Sequence, residues 1–153
     1  MATLYALDPG TEQSALVRLA DGGKVVGYIL PNSQIFNLFA AFGSEPGRLV
    51  IEEIQSYGMA VGREVFATVF WSGRFAEAWN GPWSLLGRRD VKLTICGSAK
   101  AKDANIRQAL IDRYGGKACI RKGGPLYGIK SHLWASLALA VAYQERAREQ
   151  GAA

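Results

Sequence analysis

Three short apolar runs separated by tight turns open this chain, and they limit its fold more than any other feature. Leu4-Tyr5-Ala6-Leu7 leads into Asp8-Pro9-Gly10-Thr11, and a second apolar stretch runs from Ala15 to Leu19. Asp21-Gly22-Gly23 is hairpin-type turn chemistry and leads to a third run at 24–30. The pattern predicts strands over 3–8, 14–20 and 24–30, joined as an antiparallel meander. Downstream, strands alternate with helices. A helix is predicted over 34–42, with Asn32 or Ser33 as its N-cap, then a strand over 48–53. Met59, Val61, Val65, Phe66, Val69, Phe70, Phe75 and Trp79 predict a long helix over 58–79. A fifth strand is expected from Asp90 to Ile95, a helix from Asp103 to Tyr114, and a last helix over 131–148.

A meander followed by strand–helix alternation implies right-handed crossovers and a mixed sheet covered by helices. The expected fold class is therefore α/β of the ribonuclease H-like plan, a central five-stranded mixed sheet flanked by helices. The chain of 153 residues is read as one domain over 1–148 with a frayed tail at 149–153. Cys96 and Cys119 form no ligand pattern and are read as free thiols of a reducing cytoplasm. No signal peptide is read at the start, and the apolar stretch from Leu133 to Tyr143 is too short to cross a bilayer, so no membrane partner is expected.

The chemistry is read from two acids. Asp8 ends the first apolar run, and Glu52 closes Leu49-Val50-Ile51. If their strands are neighbours, the two carboxylates meet. Clustered carboxylates are what a hard divalent ion requires, and two such ions can activate water and stabilise a leaving oxygen in phosphodiester hydrolysis. Taken alone, Asp8 is ordinary turn chemistry and Glu52 an ordinary strand end. Their pairing in this topology favours a metal site. Glu53 and Asp90 are lesser candidates, since alternation turns Glu53 to the opposite sheet face.

Several segments, in order, resemble the RuvC family of Holliday junction resolvases, in the compact form that bacteriophages encode. Leu4 to Leu19, with its Asp8-Pro9-Gly10-Thr11, resembles that family's first strands. Val50-Ile51-Glu52-Glu53-Ile54 is similar to its second acidic motif. Residues Gly97 to Ile106 resemble its glycine- and lysine-rich approach to a helix, and His132 to Ala140 resembles its final helix. The resemblance implies a homodimer that nicks branched DNA (four-way junctions, forks or flaps) with Mg²⁺ or Mn²⁺. It implies Asp8 and Glu52 as catalytic metal ligands, and His132, at the first position of the last-helix motif, as a further ligand through a neutral imidazole; otherwise it is a helix N-terminal histidine that caps or packs. Ala135 stands where the family has a further acid. Asp103, where the family commonly has a lysine, is the candidate to supply the missing oxygen; otherwise it is a helix-start acid that suits the macrodipole.

The net charge of +5 fits a polyanion partner. Lys100, Lys102, Arg121, Lys122 and Lys130 precede elements expected at the site and are the first candidates for phosphate contact, with Arg63 on the long helix. Tyr57 is a candidate to stack on an unpaired base. A solvated surface and ordinary packing are the competing readings for these residues. The long helix carries Phe66, Phe70, Trp71, Phe75 and Trp79, which either pack inside the domain or form a two-fold interface. Two other functions stay open. One is a catalytically weak branched-DNA-binding protein, for which Ala135 speaks. The other is an actin-like or sugar-kinase-like ATPase, which would need a second such domain.

Overall fold

The structure is a computed structural model and describes residues 3–151. Its elements are β1 (Leu4–Asp8), β2 (Gln13–Leu19), β3 (Val25–Pro31), α1 (Asn32–Ala41), β4 (Arg48–Glu53), α2 (Arg63–Ala78), β5 (Trp83–Gly87), α3 (Arg88–Cys96), α4 (Asp103–Arg113) and α5 (Leu133–Glu149). A short 3-10 turn spans Lys117–Ile120. The five strands form one mixed sheet in the order β3-β2-β1-β4-β5. β1, β2 and β3 are antiparallel neighbours, and β4 lies parallel between β1 and β5. This is the expected α/β plan of a five-stranded mixed sheet flanked by helices.

The two-residue period of the strands sorts their side chains into two cores. Leu4, Ala6, Ala15, Val17 and Val50 pack against α3, α4 and α5 on one face. Tyr5, Leu7, Leu16, Leu49 and Ile51 pack against α1 and α2 on the other. Each fully buried Leu or Ile contributes about 1.5–3 kcal/mol through removal from water, so the central strands are the most strongly held part of the fold. Continuing the alternation by one residue puts Asp8 and Glu52 on the same face as Ala6 and Val50. Leu7 and Ile51 are register partners, so the two acids sit side by side where β1 and β4 end.

Two expected elements change. The fifth strand is Trp83–Gly87, and Asp90 to Ile95 lies within helix α3. The alternation there mimicked a strand, but Val91 and Ile95, four apart, are the buried positions while Leu93 is exposed. Gly97 ends that helix in the left-handed conformation (φ 72), which glycine adopts without steric cost. The long helix begins at Arg63 rather than at 58. Gly58 has φ 78, Gly62 is extended at the helix N-cap, and Met59 is exposed in the loop between them. At the other end, α5 continues through Glu149 and a turn follows at Gly151; residues 152 and 153 of the expected tail lie outside the described ones. Among the described residues, both cysteines are free and no helix is long and apolar enough to cross a membrane.

Candidate active site

The turn after β1 is held from below. The Gly10 N–H donates to Ser14 Oγ (3.1 Å), Ser14 Oγ donates to Asn32 Oδ1 (2.6 Å), and Asn32 Nδ2 donates back to the Gly10 carbonyl (2.9 Å). Ser14 and Asn32 are buried, so each of these bonds replaces water that the groups have lost. A side chain at Gly10 would meet the Gln13 carbonyl oxygen, and glycine is therefore required for the close return of the chain. Asn32 makes no capping bond to its own helix. Its side chain closes the Asp8 turn instead, a role that its position after a proline did not reveal.

The side chains converge in a row. His132 Nδ1 lies 3.1 Å from Asp8 Oδ2. The Asp8 and Glu52 carboxyl groups share a hydrogen bond. Arg88, the first residue of α3, places one guanidinium nitrogen 3.8 Å from Glu52 Oε1, and another bonds the Asp103 carboxylate. Asp8 and Glu52 side chains are 12% and 15% exposed, whereas His132 and Asp103 are 72% and 85% exposed. The row borders a cavity of about 650 Å³ whose walls include Val91, Ile106, Trp134 and Ala135.

Burial sets the electrostatics. It is the largest cause raising Glu52, the adjacent Asp8 adds to it, and the pKa reaches about 8 against the opposing charges of Arg88 and His132. Asp8 is raised as well, because burial outweighs the hydrogen bond from Glu52 and the charge of Arg88. Two carboxyls brought together out of water cannot both ionise without a compensating cation. An ionised Asp8 can only accept, so a neutral His132 facing it carries its proton on Nδ1 and presents Nε2 as an acceptor.

These donors fit one divalent ion. Mg²⁺ is commonly bound through one or two carboxylates, with waters and substrate phosphate completing its shell. Asp8 and Glu52 are such a pair. Among the described residues, no three His, Cys, Asp or Glu side chains form a compact cluster that could hold a metal. Asp103 reaches the acids through Arg88, and Ala135 contributes only a methyl group to the cavity wall.

The remaining sequence candidates lie outside this row. Lys100 and Lys102 are exposed just before α4, Arg121 and Lys122 are exposed in the loop after the 3-10 turn, and Lys130 is exposed two residues before His132. Ser131 between them takes φ 49, an uncommon conformation for a non-glycine residue, as the chain turns into α5. Tyr57 is 57% exposed, also at positive φ (53), in the loop after β4, and Arg63 is exposed at the start of α2. Arg88 and Ser14 were given no role in the site from the sequence, and Asn32 was expected only as a helix N-cap.

Comparison with solved structures gives the fold. The Thermus thermophilus RuvC structure superposes with a TM-score of 0.70 at 20% identity, covering 97% of this chain and 96% of that one. The chain has a RuvC-like fold. T. thermophilus RuvC in complex with Holliday junction substrate also matches, with a TM-score of 0.67 at 19% identity and coverage of 99% and 98%. No protein-family model and no curated protein sequence matches the chain. The likeness extends over nearly the whole RuvC-like chain, so the ribonuclease H-like architecture expected from the sequence holds from β1 to α5.

Proposed function

We propose that this protein is a divalent-metal-dependent endonuclease that cuts branched DNA, a Holliday junction resolvase in kind. The observation that carries this reading is the Asp8–Glu52 pair, side by side at the ends of parallel strands and bordering a cavity in a RuvC-like fold. The solved relative bound to a Holliday junction supports the choice of substrate. Asp8 and Glu52 would hold Mg²⁺ or Mn²⁺, and His132 would act beside them through Nε2. Such an ion polarises a phosphoryl oxygen and makes a bound water acidic near neutral pH. Asp8 orients His132 by accepting a hydrogen bond from its Nδ1–H. His132 Nε2 then receives the proton that the attacking water loses, while a new P–O bond forms and the bond to the leaving sugar oxygen breaks. Phosphodiester hydrolysis is commonly served by two ions, and the Asp8–Glu52 pair would hold at least one of them.

The substrate side follows from charge. Lys100, Lys102, Arg121, Lys122 and Lys130 are exposed on segments that lead to the site, where they would contact phosphates on the arms of a junction. Tyr57 would stack on a base opened at the branch, and Arg63 would contact the backbone nearby. The protein would work as a homodimer in the cytoplasm, with two sites for two strands. Helix α2 divides its apolar residues between two jobs. Phe75, with Trp79 just past the helix end, is buried in the domain's own core, whereas Phe66 and Phe70 are 64% and 69% exposed on another face. That exposed face would pair with its copy. A binding-only protein is the second reading, favoured by the methyl group of Ala135 on the cavity wall.

Incubation of the protein with labelled four-way junction and matched duplex, in Mg²⁺, Mn²⁺ or EDTA, separates the two. Metal-dependent nicks in the junction and not the duplex support the nuclease. Tight junction binding without nicks supports the binding protein.

A further inference from the structure

Arg88 occupies a position that fold stability does not explain. It is the first residue of α3, where the helix macrodipole is positive and a cation is disfavoured. Its strongest partner, Asp103, is 85% exposed, and ion pairs of that kind contribute little. The guanidinium nevertheless reaches both Asp103 and the buried Glu52, in the wall of the cavity that Asp8 and His132 also line. The planar fork of arginine matches two oxygens of a phosphate as well as it matches carboxylates.

On the nuclease reading, charge builds on the non-bridging oxygens of the scissile phosphate as water attacks. Among the described residues no third acid joins Asp8 and Glu52 in a compact cluster, and Arg88 is the cation that stands between Glu52 and Asp103. We propose that Arg88 is a catalytic residue that grips the scissile phosphate and supplies a fixed second positive charge, and that Asp103 is the positioning residue that holds it. The inference rests on the nuclease reading. Arg88 moves no proton, since guanidinium stays charged throughout. It would exchange the Asp103 carboxylate for a phosphate oxygen as DNA enters, and Glu52 would be freed for the metal.

The test uses Arg88→Ala, Arg88→Lys and Asp103→Asn with three readouts: Mn²⁺ titration without DNA, junction affinity against salt in EDTA, and single-turnover nicking. Arg88→Ala should slow nicking by about a hundredfold or more, the usual loss when one preorganised charge-stabilising group is removed. It should reduce the slope of log affinity against log salt by about 0.9, as for one lost phosphate contact. It should bind Mn²⁺ at least as tightly as the wild type, because a competing cation has gone. Arg88→Lys should retain part of the rate, and Asp103→Asn should leave Mn²⁺ affinity unchanged while slowing nicking. Weaker Mn²⁺ binding in Arg88→Ala would make Arg88 an organiser of the carboxylates, and weaker Mn²⁺ binding in Asp103→Asn would make Asp103 a ligand; either overturns the proposal. A wild type that nicks, with Arg88→Ala within about threefold of it, overturns this proposal alone. A wild type that cuts no junction overturns the nuclease reading with it.

Discussion

Glu52→Gln should stabilise the metal-free protein in alkali while leaving it unchanged in acid. Glu52 has a folded pKa of about 8 against an ordinary value of 4.5. A raised folded pKa means that the native state holds the proton more tightly. Its contribution is complete below the ordinary value and is lost as pH rises through about 8. A shift from 4.5 to about 8 is about 3.5 units, and at about 1.36 kcal/mol per unit the ceiling is about 5 kcal/mol. Asp8 is raised by the same neighbourhood and shares the penalty, and local relaxation reduces it, so about 2–4 kcal/mol is expected. Glutamine keeps a hydrogen bond to Asp8 and never ionises. In EDTA at about pH 9 the variant should melt roughly 5–15 °C above the wild type, on the scale of about 2–4 °C per kcal/mol for a chain of this size. At about pH 3.5, below the ordinary value, the two should coincide. Thermal denaturation followed by circular dichroism reads both. Added Mn²⁺ should then raise the wild-type midpoint more than the variant's, since one ligand is gone. A wild type whose stability relative to Glu52→Gln stays flat from acid to alkali would refute the reasoning.

Two further outcomes follow from the scaffold. Asn32→Ala removes the acceptor of the Ser14 hydroxyl and the donor to the Gly10 carbonyl, so it should cost about 1–3 kcal/mol in urea denaturation, with nicking slowed further because the Asp8 turn is loosened. Phe70→Glu places a charge on an exposed position of α2; light scattering should show the proposed dimer weakened by about tenfold or more, while the melting of the monomer barely moves.

The pairing of Asp8 with Glu52 was legible because two apolar runs each end in an acid and the strand period carries both to one face. The central strands were legible for the same reason, since their burial leaves little choice of register. The fifth strand was not. Trp83 and Leu85 are exposed on the sheet's edge strand, so Trp83-Ser84-Leu85-Leu86-Gly87 shows no buried alternation, while Asp90 to Ile95 shows a false one inside a helix. The start of α2 was obscured by Met59 and Val61, apolar residues that lie in the preceding loop. Asp103 was legible as a residue near the site, but its partner was not. Arg88 meets Glu52 and Asp103 only after β5 and α3 are placed, and no local spacing announces that contact. Ser14 and Asn32 were hidden likewise, since they work as a pair that the chain joins only in three dimensions.

The central claim is that Asp8 and Glu52 form a metal-dependent nuclease site for branched DNA. Asp8→Asn tests it most directly, because it preserves the shape of the side chain and removes its charge. Nicking of a labelled four-way junction in Mn²⁺ and junction binding in EDTA should be measured side by side for variant and wild type. The account predicts symmetric nicks by the wild type, a loss of about a hundredfold or more in the variant, and junction affinity preserved within about twofold. A variant that cuts at the wild-type rate would contradict it.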